Sequence, residues 1–419
     1  MSKIAIIGSG ISGLICGYNL SRNHEITVFE ANDYIGGHTA TIDVQADGKP
    51  WAIDTGFIVF NDHTYPHFQG MMDALGVPYQ PTEMSFSVTN EATGLVYNGN
   101  TLSTLFAQRS NLFKPRFWRL LMEIVRFNRS CKALNKTGDI DPSLTVKDFL
   151  ESERLSQYFA ENYILPMGAA IWSASLGEIE AFPLKFFIQF FENHGLLNIT
   201  DRPQWFSIKG GSKAYIPKMI RGFEENIRLS TPVKSVVRLE TDIQIILENG
   251  QVQTFDEVIF ACHSDQALEI LKTPSEAEKR VLSSIPYREN EVILHRDEAL
   301  LPEIPEAVAS WNYHLSGDRA LPASVTYSMN ILQCLPEDAP QFCVTLNNTQ
   351  KIDPDKVIGI YRYSHPVFSL NMVEAQSLRS TMCGVDRIHY CGAYWYNGFH
   401  EDGVRSALDV CKRFEVSHE

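Results

Sequence analysis

The spacing of apolar and polar positions changes several times along the chain, and each change marks a different kind of element. Lys3-Ile-Ala-Ile-Ile7 is a continuous apolar run of the length of a buried strand. It is followed by the turn Gly8-Ser-Gly-Ile-Ser-Gly13, a helical pattern, and a second strand ending in Glu30. Strand-like segments from Thr39 to Val44 and from Trp51 to Phe60 flank Asp47-Gly48, which predicts a hairpin. A helix is expected from about Tyr65. Between about Thr101 and Phe206 the pattern is helical and aromatic, with helices predicted over Phe113 to Leu134, Leu144 to Tyr158 and Leu184 to Asn193. Strands return at Arg228-Leu229, Val233 to Leu239, Ile243 to Leu247 and Glu257 to Ala261. Two helices then mix with strands at Glu291 to His295, Ser324 to Asn330 and Gln341 to Leu346. A short strand from Ile388 to Cys391, a loop, and a helix from Gly403 to Phe414 close the sequence.

This order predicts an α/β fold whose parts are interleaved, because no repeat or low-complexity linker separates them. Residues 1–60, 207–265 and 384–419 are expected to form a discontinuous Rossmann-like nucleotide-binding domain. Residues 61–206 and 266–383 are expected to form a substrate-binding domain of mixed sheet and helices, with a helical insertion at about 101–206.

The opening strand, turn, helix and strand read as one nucleotide-binding unit. Gly8 permits the tight turn, Gly10 lets the backbone approach a pyrophosphate, and Gly13 lets the helix pack on the strand. Ser9, Ile11 and Ser12 complete the loop, and the helix starting at about Ile11 points unpaired N–H groups and its positive dipole end at the phosphates. Glu30 lies 20 positions after Gly10 at a strand end, with Ala31 beside it. Its carboxylate can accept from ribose hydroxyls and would repel a 2′-phosphate, so a dinucleotide lacking that phosphate fits best.

Composition narrows the class. The 419 residues are 44% apolar, enough for a large core, and the formal charge of −14 argues against a general nucleic-acid binder. The eight cysteines have no metal-ligand spacing and read as reduced, mostly buried thiols, and no metal site is expected. A strand beginning at Lys3 and the lack of a spanning apolar run predict a cytoplasmic protein.

Five separated segments resemble the FAD-dependent amine oxidase, protoporphyrinogen oxidase and phytoene desaturase superfamily over nearly the whole chain. They are GSGISG with Glu30; Gly36-Gly37; Ile53-Asp54-Thr55-Gly56; Thr231-Pro232-Val233 with Val258-Ile259-Phe260-Ala261; and Gly392 with GFHEDGVRSAL. A bacterial flavoprotein group ending in a GFHEDG-type stretch is the most similar, and some such relatives look connected with acyl-chain modification. The resemblance implies FAD as cofactor, on a glutathione-reductase-like fold of the amine oxidase type. It implies cofactor contacts at Gly36, Gly37, His38, Thr55, Gly56, Val233, Ala261, Gly392, Gly403 and Val404, with the helix from Gly403 facing the flavin. His38 stands where the family commonly has Arg, which weakens a charged phosphate contact. His400 stands three residues before Gly403, where amine oxidases carry an aromatic ring, so the aromatic cage reads as incomplete.

Few side chains are needed for hydride transfer to a flavin. His400 is the candidate catalytic base; its alternative is a loop histidine bonded to backbone. Glu401 and Asp402 read as helix caps. Lys209-Gly210-Gly211 resembles the family's glycine pair near the flavin face; otherwise it is an ordinary loop. Trp172, Phe186, Phe187, Phe190, Phe191, Trp205 and Tyr396 either form core or line an apolar substrate pocket. From Lys114 to Lys132, Phe117, Leu120, Leu121, Ile124 and Phe127 share one helical side. Arg116, Arg119, Arg126 and Arg129 lie largely on another, giving a local excess of +5 with Glu123 the only acid. Such a helix either presents a solvated face or lies peripherally on the inner face of an anionic membrane. The leading expectation is an FAD oxidoreductase that desaturates an apolar, lipid-like or isoprenoid substrate. Amine oxidation, a non-redox flavin isomerase or mutase, and a lipid-carrying non-enzyme remain open, as does the oligomeric state.

Overall fold

The computed structural model describes residues 1–315 and 324–415. Residues 316–323, inside the expected 266–383 segment, and 416–419, at the end of the expected 384–419 segment, lie outside the described residues. A five-stranded parallel sheet runs in the order Ile227–Arg228, Glu25–Phe29, Lys3–Ile7, Glu257–Phe260, Ile388–Tyr390. Ile4, Ala5, Ile6, Val28, Val258, Ile259 and Phe260 are fully buried, as expected when helices or a second layer cover both faces of a parallel sheet. All five strands come from the three segments read as nucleotide-binding.

Helix Ile11–Leu20 packs against the terminal helix His400–Glu415, joining the two ends of the sequence. Gly403 is what lets them approach. A Cβ there would sit 2.7 Å from Ile11 Cγ2, and Ser12 Oγ donates to the Gly403 carbonyl at 2.9 Å. The terminal helix begins three residues earlier than expected, so Gly403 and Val404 lie within its first turns rather than at its tip.

The second layer is a seven-stranded sheet in the order Val357–Pro366, Tyr287–His295, Cys343–Leu346, Val325–Ser328, Trp311–Leu315, Phe86–Asn90, Leu95–Asn98. The strands Phe86–Asn90, Leu95–Asn98 and Val357–Pro366 were not expected from the sequence. A small sheet of Val59–Asn61, Trp205–Ile208 and Tyr79–Thr82 ties the segments on either side of the expected boundaries together. The hairpin forms as Thr41–Ala46 with Lys49–Asp54, but Val59–Asn61 leaves it to join this bridging sheet.

The helical layer contains Pro115–Thr137, Leu165–Trp172 and Leu184–Asn193. A π-helical turn, Ala160–Ile164, precedes the second of these. Pro166 has no N–H to offer the carbonyl four residues back, so that of Asn162 is freed; the Tyr97 hydroxyl donates to it at 2.6 Å. Tyr97 and Tyr163 are thereby fixed at the wall of the cavity described next. No helix among the described residues is long and apolar enough to cross a membrane.

Candidate active site

The parallel strands all end at one edge of their sheet, so the residues after them converge. Gly8 follows Ile7, Glu30 follows Phe29, Ala261 follows Phe260 and Gly392 lies two residues after Tyr390. A cavity of about 900 Å³ opens there and extends to the seven-stranded sheet and the helical layer. Gly8, Ser9, Gly10, Ile11, Ser12, Glu30, Ala31, Gly36, Gly37, His38, Thr55, Gly56, Val233, Ala261 and Gly392 all line it.

The nucleotide end is built by close backbone approaches. A Cβ on Gly8 would meet the Ala261 carbonyl at 2.9 Å, and one on Gly13 would meet the Gly8 carbonyl at 2.0 Å. Gly13 therefore works behind the loop. The Gly36 N–H donates to the Ser9 carbonyl at 3.1 Å, bringing the double glycine beside the first loop. Gly10 differs: its added Cβ would meet no protein atom within 4 Å. It points into open space where a pyrophosphate can lie over the N-terminus of helix Ile11–Leu20. Glu30 accepts from Ser9 N–H (2.9 Å), Ser9 Oγ (2.6 Å), Asn32 N–H (2.9 Å) and Asn32 Nδ2 (3.0 Å), which holds its carboxylate at the strand end. These residues fit a dinucleotide. Glu30, Ala31 and Val233 would hold the adenosine, the Gly8 and Gly36 loops the diphosphate, and Thr55 and Gly56 the flavin end.

Histidines occupy the wall beyond the double glycine. The His38 ring lies 5.4 Å from His365, 5.4 Å from Tyr363 and 6.0 Å from His263 between centroids. His38 Nε2 is buried without a hydrogen-bond partner. Burial pushes the His38 imidazole down from its ordinary range, and it pushes His263 and His365 to about 3, with neighbouring histidine charge adding to the effect. His263 stacks on Tyr287 at 4.1 Å. None of His263, Tyr363 and His365 was singled out from the sequence. The last two come from the unexpected strand Val357–Pro366. Among the described residues, His, Cys, Asp and Glu form no group of three or more able to hold a metal ion.

His400 borders the cavity, in surroundings that make it a weak base. Its ring stacks on Phe57 at 3.8 Å, its Nε2 lies 3.0 Å from the Tyr215 hydroxyl, and burial, then His38, pushes its pKa to about 3. Its ring packs on Phe57, which also lines the cavity. The ring presented next to it is Phe399, which lines the cavity and stacks on Phe190 with centroids 5.0 Å apart. Phe399 thus adds an aromatic ring to the cavity wall one residue before His400. Glu401 caps a different helix, accepting from the N–H groups of His67 (3.0 Å) and Phe68 (2.8 Å) at the start of Pro66–Leu75. Asp402 accepts from the Phe399 N–H at 2.9 Å, and burial raises its pKa to about 7.

Of the expected substrate residues, Trp172, Phe190 and Trp205 line the cavity. Phe187 does not: it stacks on Phe191 at 4.1 Å within the core. Tyr396 turns away to donate to Asp409 on the terminal helix. Lys209 and Gly210 are exposed and stand outside the cavity. Gly211 packs on Thr41, where its Cβ would approach Cγ2 to 2.3 Å, and the Ser212 N–H that follows donates to Asp54 at 2.8 Å. Of the pair, Gly211 therefore serves close packing on the Thr41 and Asp54 side chains, while a Cβ on Gly210 would meet open space. Gly403 and Val404 likewise lie in helix packing and do not line the cavity.

A dinucleotide cradle opening into a wide aromatic chamber defines an FAD-dependent oxidoreductase. A sequence profile of the flavin containing amine oxidoreductases matches residues 11–309, and the chain belongs to that family. An uncharacterized protein of Methanocaldococcus jannaschii is 24% identical over 331 residues, spanning 76% of this chain and 74% of its own. The crystal structure of a CLA-producing fatty acid isomerase from P. acnes superimposes with a TM-score of 0.71 at 16% identity, covering 99% of this chain and 98% of that one. Cyclohexylamine oxidase from Brevibacterium oxydans matches with a TM-score of 0.71 at 16% identity, covering 99% of both chains. At such identity the likeness shows the shared fold.

Proposed function

We propose that this oxidoreductase dehydrogenates an apolar substrate of lipid or isoprenoid type, converting a C–C bond to C=C. FAD, when bound, would supply the hydride acceptor, and the proton lost from the neighbouring carbon would leave to bulk solvent. The protein's part is to bind and orient the chain and to exclude water. The observation that carries this reading is the character of the chamber away from the nucleotide. Met84, Phe86, Met167, Ile171, Trp172 and Trp205 line it, while the carboxylates of the lining, Glu30 and Glu269, belong to the strand end and to a helix packed on the Val233 strand. The charged lining residues are Glu30, Glu269 on the helix after Ala261, Arg362, which is paired with Glu289, and Arg202. An ammonium substrate among these apolar side chains would lose its hydration with a guanidinium in the same wall, whereas a neutral chain, or one with an acidic end, meets no such penalty.

Ile171→Trp tests this directly, because Ile171 is half-buried on the chamber wall and distant in sequence from every nucleotide loop. Long-chain alcohols, fatty acids and isoprenoids are expected to perturb the visible spectrum of bound flavin in the parent. In the variant the flavin remains bound and the apparent affinity for these chains falls at least ~10-fold, as expected when a bulky ring fills a packed site. A response to mono- or diamines alone would overturn the proposal.

A further inference from the structure

The outward face of helix Pro115–Thr137 is more than a solvated basic face. Phe117, Leu120 and Phe127 are buried against the core as the sequence pattern requires, yet a second apolar stripe faces out. Trp118, Met122 and Val125 are spaced four and three residues apart and so share one side of the helix. Trp118 is 46% exposed and Met122 65%. Just before the helix, Phe113 is 86% exposed. Exposed aromatic and aliphatic side chains gathered in this way mark an interaction site.

Cations border the stripe. Lys114, Arg116, Arg119, Arg126, Arg129 and Lys132 give this segment a charge of +5 in a chain of net charge −14, with Glu123 the only acid. Glu123 is turned inward, taken by the Ser156 hydroxyl and by Arg119 at 3.2 Å. Arg116 lies over the Tyr158 ring at 4.7 Å, and Arg126 sits 3.7 Å from Glu153. At ~100° per residue Arg119 and Arg126 flank the stripe and Arg129 and Lys132 continue it, while Arg116 lies on the far side over Tyr158.

We infer that this face docks the protein on an anionic lipid bilayer, with Phe113, Trp118 and Met122 entering the interface and the flanking Arg and Lys side chains meeting lipid phosphates. A second copy of the chain fits less well, because a symmetric pairing would set one +5 face against another. A bilayer with acidic headgroups complements both the apolar stripe and the charge. The rest of the molecule carries net negative charge, so attraction to such a surface selects this orientation. The helix also stands one side chain from the chamber: Tyr97, which lines it, packs on Phe117 at 5.8 Å. Docking stands independently of the desaturase reading, which bears only on what the bilayer delivers.

The test is co-sedimentation of flavin-loaded protein with vesicles of phosphatidylcholine alone or mixed with phosphatidylglycerol. Binding to the mixed vesicles is expected to exceed that to neutral ones at least ~10-fold at low salt and to weaken as salt rises. Phe113→Ser with Met122→Ser should reduce binding at least ~10-fold, and Arg129→Gln with Lys132→Gln should remove the preference for acidic lipid, both with the flavin spectrum intact. Failure of the parent to bind mixed vesicles, or binding indifferent to both double variants, would overturn the proposal. So would a dimer in solution that the Phe113→Ser, Met122→Ser pair dissociates. Turnover of a detergent-dispersed substrate is expected to survive either pair, which separates a failure of docking from a failure of the proposed chemistry.

Discussion

Gly10→Val is expected to give a folded protein that holds no FAD. The Gly10 backbone, at φ −66° and ψ 178°, is extended and accessible to any residue, and its Cβ would meet no protein atom within 4 Å. Folding has no reason to fail. The branched side chain instead enters the space over the helix N-terminus, where it blocks both the approach of the diphosphate and its access to free N–H groups. A loss of affinity of ~10³-fold or more follows from the steric exclusion together with several lost charge-assisted hydrogen bonds at ~1.5–3 kcal/mol each. Gly13→Ala is the contrasting case. Its Cβ would lie 2.0 Å from the Gly8 carbonyl, backbone that cannot swing aside, so the strand-to-helix junction itself should be destabilised. Circular dichroism, a flavin absorption spectrum and FAD titration distinguish the two. A yellow Gly10→Val protein with parental affinity would remove the loop from the cofactor site.

Acidification is expected to unfold the protein well before its carboxylates are titrated in the usual way. Burial holds His263, His365 and His400 at about 3 and His194 and His295 at about 4. Their folded pKa values lie below the unfolded value of ~6.5, so the stability they contribute is present above that pH and is lost as pH falls. Asp54 and Asp402 oppose this. Burial raises each to about 7, so their contribution increases as pH falls from 7 toward the unfolded carboxylate value. Between pH ~7 and ~5 five imidazoles lose their contribution while two carboxyls gain, so the balance is a net loss on the order of a few kcal/mol. That is a large part of the stability of an ordinary domain. The thermal midpoint should therefore drop steeply over this range, followed by near-UV circular dichroism so that flavin release is not mistaken for unfolding. A midpoint unchanged or higher at the lower pH would contradict the neutral, buried state of these imidazoles.

The nucleotide end was legible in the sequence because each glycine there answers a local steric demand that spacing alone reveals. Gly8, Gly10, Gly13 and Glu30 sit on elements adjacent in both sequence and space. The chamber was legible only in kind. Trp172, Phe190 and Trp205 line it while Phe187 and Phe191 stack together in the core, and nothing in an aromatic-rich helix tells which ring faces a void. Phe399 and His400 both line the cavity at the start of the terminal helix, which begins three residues before its expected start. His365 and Tyr363 went unseen because they arrive from a strand paired across the sheet with Tyr287–His295, a long-range placement that local pattern does not encode. On helix Pro115–Thr137 the inward apolar face was read correctly, but Trp118, Met122 and Val125 emerge as a distinct outward stripe only once the neighbours of each turn are known.

The central claim is that a two-electron oxidation takes place in this chamber on an apolar chain. The most direct measurement is anaerobic mixing of the flavin-loaded protein with the chains that perturb its spectrum, following flavin absorbance while the product is weighed by mass spectrometry. The account predicts that the flavin bleaches in proportion to a product two hydrogen atoms lighter than the substrate. Product of unchanged mass forming while the flavin stays oxidised, or bleaching by amines alone, would contradict it.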